Sequence, residues 1–281
     1  METLPQLFSL NEALLFERAK TIGQKWEKSY WSPVVLNGGC KTEPKCRHCK
    51  WESFKNSRTS FDGKRTLSQV LKCAETMLNA GATHLLAPSG WMGYEIPDYF
   101  CTYIQAIKDH FRVPVYGLFG SIRLSSLLKL KDAGMDGYQC GLESPDEAIY
   151  RNFRPGGDSL GDRINTLVNA KKAGLKIWSG FLLGFGISDK AIMRGLKLLK
   201  ELSADWVAIQ PFVPFPDTEL QREDPANPYR WARIMAITRL YMGDESHLVA
   251  TENSGAYANF MDLTGANSFF IFPPENNSAC R

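Results

Sequence analysis

Three times along this chain a helical stretch ends in Ala-Gly and a short β-type run follows at once. Asn79-Ala-Gly81 leads to Thr83-His-Leu-Leu-Ala-Pro88, Asp132-Ala-Gly134 to Gly137-Tyr-Gln-Cys-Gly-Leu-Glu143, and Lys172-Ala-Gly174 to Lys176-Ile-Trp-Ser-Gly-Phe-Leu-Leu183. Leu202-Ser-Ala-Asp205, ahead of Trp206-Val-Ala-Ile-Gln-Pro211, repeats the unit without its Gly. Glycine just past a helix takes the left-handed conformation at little cost. Helix, glycine and buried strand in rotation define a parallel sheet with helices packed on it.

The pattern predicts eight strands, near 33–37, 83–88, 114–119, 137–142, 176–183, 206–210, 248–252 and 268–272, with helix in each gap. Eight such units in 281 residues fit an α/β fold of the (β/α)8 TIM-barrel type, with an open doubly wound sheet as the alternative. Residues 9–28 read as a preceding amphipathic helix, capped by Ser9 or Asn11, with Leu10, Leu14, Leu15 and Ala19 on its apolar face. The expected organisation is one domain, 1–281, with a helical segment over 1–31 and the barrel over 32–281. Pro211-Phe-Val-Pro-Phe-Pro216 reads as a loop after a strand rather than a boundary.

A barrel places chemistry on the loops after its strands. The first such loop holds Cys40, Cys46 and Cys49, with five residues between the first two and two between the last two. Thiolates this close in sequence share a metal. A closed zinc or electron-transfer site takes four ligands, so three Cys leave one corner open for a substrate or cofactor. Lys41, Lys45, Arg47 and Lys50 add positive charge that favours thiolates. His48 offers a rival reading, a Cys3His zinc site, although adjacent side chains such as His48 and Cys49 seldom converge on one small ion. Ser89-Gly90-Trp91, Gly120-Ser121, Glu143-Ser144, Gly184-Phe-Gly186, Pro211-Phe212 and Glu252-Asn253 follow later strands and would meet at the same mouth.

Net charge is only +3, too weak to argue for nucleic acid or an anionic membrane surface, and no apolar run spans a bilayer. The N-terminus lacks a basic start followed by an apolar run, and seven Cys, four of them scattered, make a poor disulfide framework. A reducing cytoplasm is the expected compartment.

With these residues in place, the chain resembles the radical S-adenosylmethionine (SAM) enzymes, in the branch of biotin synthase and the di-iron hydrogenase maturase. Arg154-Pro-Gly156, Asp162-Arg163, Ala173-Gly-Leu-Lys-Ile-Trp-Ser-Gly180 and Gly184-Phe-Gly186 occur in that branch's order. Gln210-Pro-Phe-Val-Pro-Phe-Pro-Asp-Thr218 and Gly265-Ala-Asn267 are similar to its later segments. The Cys spacing departs from the superfamily's usual three-then-two. Five-then-two resembles the group that helps build the iron-guanylylpyridinol cofactor of mono-iron (Hmd-type) hydrogenase.

The resemblance implies a [4Fe-4S] cluster on Cys40, Cys46 and Cys49, with SAM's amino and carboxylate groups on the open iron. It implies reductive cleavage of SAM to methionine and a 5′-deoxyadenosyl radical, with a reductant such as ferredoxin or flavodoxin as partner. His48 would lie near adenine, Ser89 and Gly90 at the methionine amine, and Trp91 beside them as in biotin synthase. Glu143 would bind ribose hydroxyls or the amine, Arg163 the carboxylate, and Gly184 and Gly186 the adenine edge. Axis-facing strand ends, Tyr116, Gln139, Cys140, Trp178, Gln210 and Thr251, are the candidates for holding a small-molecule substrate. Biotin synthase holds a second cluster on Cys at places where this chain has Leu86, Tyr116 and Trp178, so one cluster is expected here. The aromatic residues suit a flat or apolar ligand such as a pyridinol precursor. The alternatives are another small-molecule enzyme of the same branch, such as a carbon-skeleton mutase, and a non-catalytic metal-binding or electron-transfer protein.

Overall fold

The computed structural model describes residues 2–49, 63–251, 255–272 and 280. Lys50 and the Glu252-Asn253 loop lie outside the described residues. Eight parallel strands close into a barrel: β1 (Ser29–Pro33), β2 (His84–Pro88), β3 (Val115–Leu118), β4 (Gly137–Gln139), β5 (Lys176–Leu183), β6 (Trp206–Pro211), β7 (His247–Ala250) and β8 (Ser268–Phe270). Closure is made by β8 against β1, in the register Ser29↔Ser268 to Trp31↔Phe270. The barrel reading holds and the open-sheet alternative is excluded.

Around the barrel run α3 (Leu67–Asn79), α4 (Tyr99–His110), α5 (Leu124–Asp132), α6 (Glu147–Phe153), α7 (Leu160–Lys172), α8 (Asp189–Glu201) and α9 (Pro228–Met242). Gly81, Gly134 and Gly174 all take left-handed φ, at 98°, 92° and 73°, as the Ala-Gly signal predicts. In the fourth copy Ser203 takes that conformation itself, at φ 48°. The copies share another device. Asp136 accepts a bond from Val115 N on the preceding strand, and Asp205 does the same for Ile177 N, both at 2.8 Å.

Two expectations shift. The N-terminal helix is two helices, α1 (Leu4–Phe8) and α2 (Glu12–Gly23), because Asn11 caps the second by accepting from Ala13 N and Leu14 N. Leu14 is 44% exposed, and Leu15, Phe16 and Ala19 form the buried face. The first strand spans Ser29–Pro33, pairing with β8 over Ser29–Trp31 and with β2 over Trp31–Pro33, so a boundary at residue 31 falls inside it. Past Pro33 the chain still bonds to β2, Val34 N to Leu86 O at 2.7 Å and Leu36 N to Pro88 O at 3.0 Å. It loses β8 there, and this frees it to swing into the Cys loop.

Strand alternation sends one set of side chains outward under the helices and the other into the barrel. Near the strand starts the interior is filled by Trp31, Tyr116, Trp178 and Trp206, with Trp31 at 4.8, 4.7 and 4.8 Å from the other three in that order. Trp206 donates to the Tyr116 hydroxyl at 2.9 Å. Gly137 makes room for that ring: a Cβ there would lie 2.2 Å from Tyr116. His247 stacks under Trp206 at 3.9 Å, and His84 lies 4.6 Å from Trp31. This aromatic floor closes the barrel, so the open space lies at the opposite end. Outside the barrel, Cys73 of α3 is disulfide-bonded to Cys280, 207 residues away. Two of the Cys read as scattered are therefore a pair, brought together by folding with no local sequence signal.

Candidate active site

The Cys loop leaves β1 at the C-terminal mouth and is pinned from three sides. Lys41 N donates to Trp91 O at 2.7 Å after β2. Arg47 N donates to Phe153 O at 2.9 Å at the end of α6, and Leu220 N to Arg47 O at 3.3 Å. The third seat is Gly156, where a Cβ would fall 2.1 Å from the carbonyl of Glu43 and 2.2 Å from Pro44 N. The Glu43–Pro44 stretch of the long Cys gap thus rests on a glycine that leaves space for backbone alone.

Two of the loop's own basic residues pair with carboxylates. Arg47 pairs with Glu219 at 2.8 Å and Lys45 with Glu43 at 3.6 Å. The cation at the sulfurs is Arg154, whose Nη1 donates to Cys46 Sγ at 3.2 Å. Burial pushes the Cys46 thiol up to about 12 even so, against the pull of Arg154. A bare thiolate at Cys46 is therefore costly, and metal binding would have to supply the compensating charge. The Cys40 thiol donates to the buried Thr42 hydroxyl at 3.3 Å, and Cys49 sits at the exposed end of the loop.

Among the described residues, no three His, Cys, Asp or Glu side chains converge as ligands of a single ion would. A four-iron cube asks for something looser, one thiolate per iron corner. The fit to a larger group also shows in His48. Its Nδ1 is buried with no hydrogen-bond partner, its Nε2 lies 3.7 Å from Glu143, and its ring is 5.2 Å from Phe153. Burial lowers its pKa despite the nearby Glu143 carboxylate, so the neutral ring is favoured.

Behind the loop sits a buried charge network. Glu143 follows β4 in a left-handed conformation, φ 57°. Arg163 of α7 donates through Nη1 to Glu143 Oε1 at 2.9 Å and to Gly141 O, and its Nε lies 3.2 Å from Asp158. Asp158 also accepts from Ser121 N at 2.9 Å and pairs with Arg154. Burial opposes ionisation of both acids, but Arg163, helped by Arg154, holds Glu143 below the usual carboxylate range. Arg163 and Arg154 hold Asp158 down at about 2. All four charges therefore persist at neutral pH. The Arg163 fork is turned onto these partners rather than into open space.

Ser89, at the end of β2, is buried with its hydroxyl on Gly90 O at 2.8 Å. Trp91 turns its indole away, donating to Ser121 O at 3.0 Å and packing on Gly120. A cavity of 340 Å³ opens over the barrel, lined by His48, Glu143, Gln210, Thr251, Phe212 and Phe270 among others. Gly184 and Gly186 border a neighbouring cavity of 390 Å³ with Asn227, and a Cβ on Gly184 would meet Phe212 at 2.8 Å.

The six substrate candidates divide. Gln210 and Thr251 line the main cavity. Gln139 points inward below it, nine-tenths buried, with Oε1 unbonded. Tyr116 and Trp178 belong to the closed floor, fully covered by other rings. Cys140 faces the helices, because it neighbours inward Gln139 and successive strand residues take opposite faces; burial pushes its thiol up to about 12. Sequence reasoning missed Arg154 and Asp158 as site residues. The signals for them were the Arg154-Pro-Gly156 run that resembles the related branch and an Asp after Pro-Gly-Gly, neither of which assigns a role at the sulfurs.

A (β/α)8 barrel with a tri-cysteine loop at its C-terminal mouth, beside a charge-lined cavity, defines a barrel enzyme built around a metal cluster. The radical SAM superfamily profile matches residues 37–199, and the chain belongs to that superfamily. It is a radical SAM enzyme using a [4Fe-4S] cluster and SAM. It is 28% identical over 244 residues to biotin synthase of Neorickettsia sennetsu, covering 84% of this chain and 73% of that protein. It is 26% identical over 262 residues to the [FeFe] hydrogenase maturase subunit HydE of Thermotoga maritima, covering 90% and 73%. In fold it is similar to methylornithine synthase (PylB), with TM-score 0.82 and 22% identity over 98% of this chain and 83% of that one. These relatives place it in the biotin synthase and hydrogenase-maturase branch. Among the described residues, no helix is long and apolar enough to cross a membrane.

Proposed function

We propose that this enzyme acts on a small, flat, uncharged molecule, a pyridinol precursor, in building the iron-guanylylpyridinol cofactor of mono-iron hydrogenase. The observation that carries this reading is the single cavity that joins His48 and Glu143 to a wall of Phe212 and Phe270 with Gln210 and Thr251 as its neutral polar groups. The five-residue Cys gap, seated on Gly156, supports the same group.

Cys40, Cys46 and Cys49 would hold the cluster, which with SAM bound would supply the radical chemistry for removing a substrate hydrogen. The chain's own residues position and exclude. His48, neutral and with Nδ1 unbonded, borders the adenine. Ser89 and Gly90 offer the methionine amine a buried backbone edge. Glu143, kept ionised by Arg163, accepts from the amine or the ribose hydroxyls. Gln210 and Thr251, with Gln139 beneath, orient the substrate. Leu86, Tyr116 and Trp178 fill the barrel interior and offer no ligand to a second cluster, which favours SAM as co-substrate over sulfur insertion. The reductant is a ferredoxin or flavodoxin, and the compartment is the cytoplasm.

The test is anaerobic reconstitution with iron and sulfide, reduction in the presence of SAM, and a deuterated pyridinol precursor. The expected result is 5′-deoxyadenosine carrying deuterium. Formation of 5′-deoxyadenosine without label would move the reading to another small-molecule substrate. No 5′-deoxyadenosine under any reducing condition would remove the catalytic reading.

A further inference from the structure

We propose that Arg154 is a positioning residue that sets the reduction potential of the cluster through the Cys46 sulfur. The proposal rests on Cys46 being a cluster ligand. Arg154 follows α6 and is nearly buried, with 8% of its side chain exposed. Its Nη1 donates to Cys46 Sγ at 3.2 Å, and its Nη2 is paired with the fully buried Asp158. Its Nε is buried with no hydrogen-bond partner.

The guanidinium has little freedom to leave. A Cβ on Gly157 would lie 2.7 Å from Nη2 and 3.0 Å from Cζ, so the glycine backbone closes over the group. Gly156, one residue earlier, presses on the Glu43–Pro44 backbone of the Cys loop. One five-residue run, Arg154 to Asp158, thus seats the loop and aims a cation at its middle sulfur. Burial and Arg163 oppose the charge on Arg154, yet Asp158, Glu143 and Cys46 hold its pKa above the ordinary guanidinium value, so it stays charged.

Hydrogen bonds and net charge at the sulfurs are among the levers that set an iron–sulfur potential. Reduction adds one negative charge to the cluster. A cation in a low-dielectric site stabilises that state and raises the potential. Asp158 works against it by spending part of the Arg154 charge. Removing each partner should therefore shift the potential in opposite directions.

The experiment is a redox titration of the reconstituted full-length protein without SAM, read by the electron paramagnetic resonance signal of the reduced cluster. In Arg154→Gln the reduced-to-oxidised ratio at a fixed poise should fall about tenfold, equivalent to a shift of about 59 mV for one electron. In Asp158→Asn the ratio should rise. Arg154→Lys, which keeps the charge, should recover most of the wild-type value. Iron and sulfide content measured on the same samples separates cluster ligation from the tuning of its potential. If Cys46→Ala still loads a full cluster, the ligand assignment fails. If wild type and variants load equally and titrate at one potential, the ligand assignment stands and the role of Arg154 is overturned. Should Arg154→Gln not assemble a cluster, the opposite-signed shift in Asp158→Asn decides, and no shift there overturns the proposal.

Discussion

The two ends of this barrel are built from opposite chemistry. The floor is apolar and ring-filled, with Trp31, Tyr116, Trp178 and Trp206 in mutual contact. The mouth gathers Arg154, Arg163, Asp158 and Glu143, all at least four-fifths buried. The backbone differs as well. At the strand-start end, left-handed turns fall on Gly81, Gly134 and Gly174, where they cost little, apart from Ser203 in the copy that lacks the glycine. At the mouth, Glu143 and Phe185 take φ of 57° and 53° with side chains attached. Burying charges and straining non-glycine residues lowers stability, and large aromatic burial offsets it elsewhere. The barrel keeps its stability at one end and its chemistry at the other.

The sharpest break of this comparison is Cys46→Ala. It should abolish cluster loading and 5′-deoxyadenosine formation while leaving thermal unfolding of the metal-free protein nearly unchanged. A collapse of the fold would show the mouth to be structural too. Trp178→Ala, at the floor, should do the reverse, costing about 3–5 kcal/mol in denaturant unfolding. Iron content of the folded fraction should be retained. Loss of substrate binding with no loss of stability would return Trp178 to the pocket.

Gly156→Ala is subtler, since the added methyl must displace the Glu43–Pro44 backbone. It should lower cluster occupancy and cost about 1–3 kcal/mol by overpacking. Full occupancy with unchanged stability would separate the long loop from its seat.

The smallest effect is in acid. Burial, with Lys176 nearby, pushes His84 and His247 at the floor down to about 4. Their unfolded value is about 6.5, so the unfolded chain binds more protons between these limits. Stability should therefore fall as pH drops from about 6.5 toward 4, and His84→Gln should flatten that slope. Asp158, held at about 2 by its arginines against burial, loses its contribution only below the unfolded carboxylate value of about 3.9. An acid titration of the metal-free protein should thus show a first loss from the buried histidines, His84 and His247 at the floor with His48 at the mouth, and a second loss from Asp158. The reverse order would contradict the assignment of these groups.

Much of this was legible from short-range pattern. The Ala-Gly helix ends and alternating strands point to a parallel sheet because those preferences are local. The Cys loop announces itself because its thiols lie within ten residues. Side-chain direction was harder. Gln139 and Cys140 read alike as axis-facing, yet strand parity sends them to opposite faces. Tyr116 and Trp178 do point inward, but only the packing of four strands shows that they meet as a floor rather than line a pocket.

The sequence alone determined the helix–strand order, the parallel sheet and the tri-cysteine loop, all set by residues near one another along the chain. Tertiary structure decided whether the sheet closes, by pairing Ser29 with Ser268 across the whole barrel. It also decided which cation reaches the cluster loop. Four basic residues lie beside the cysteines in sequence, but among the described residues the cation bonded to the Cys46 sulfur is Arg154, 108 positions away. Charge acts through space in a low-dielectric site, and the fold chooses which charges share that space.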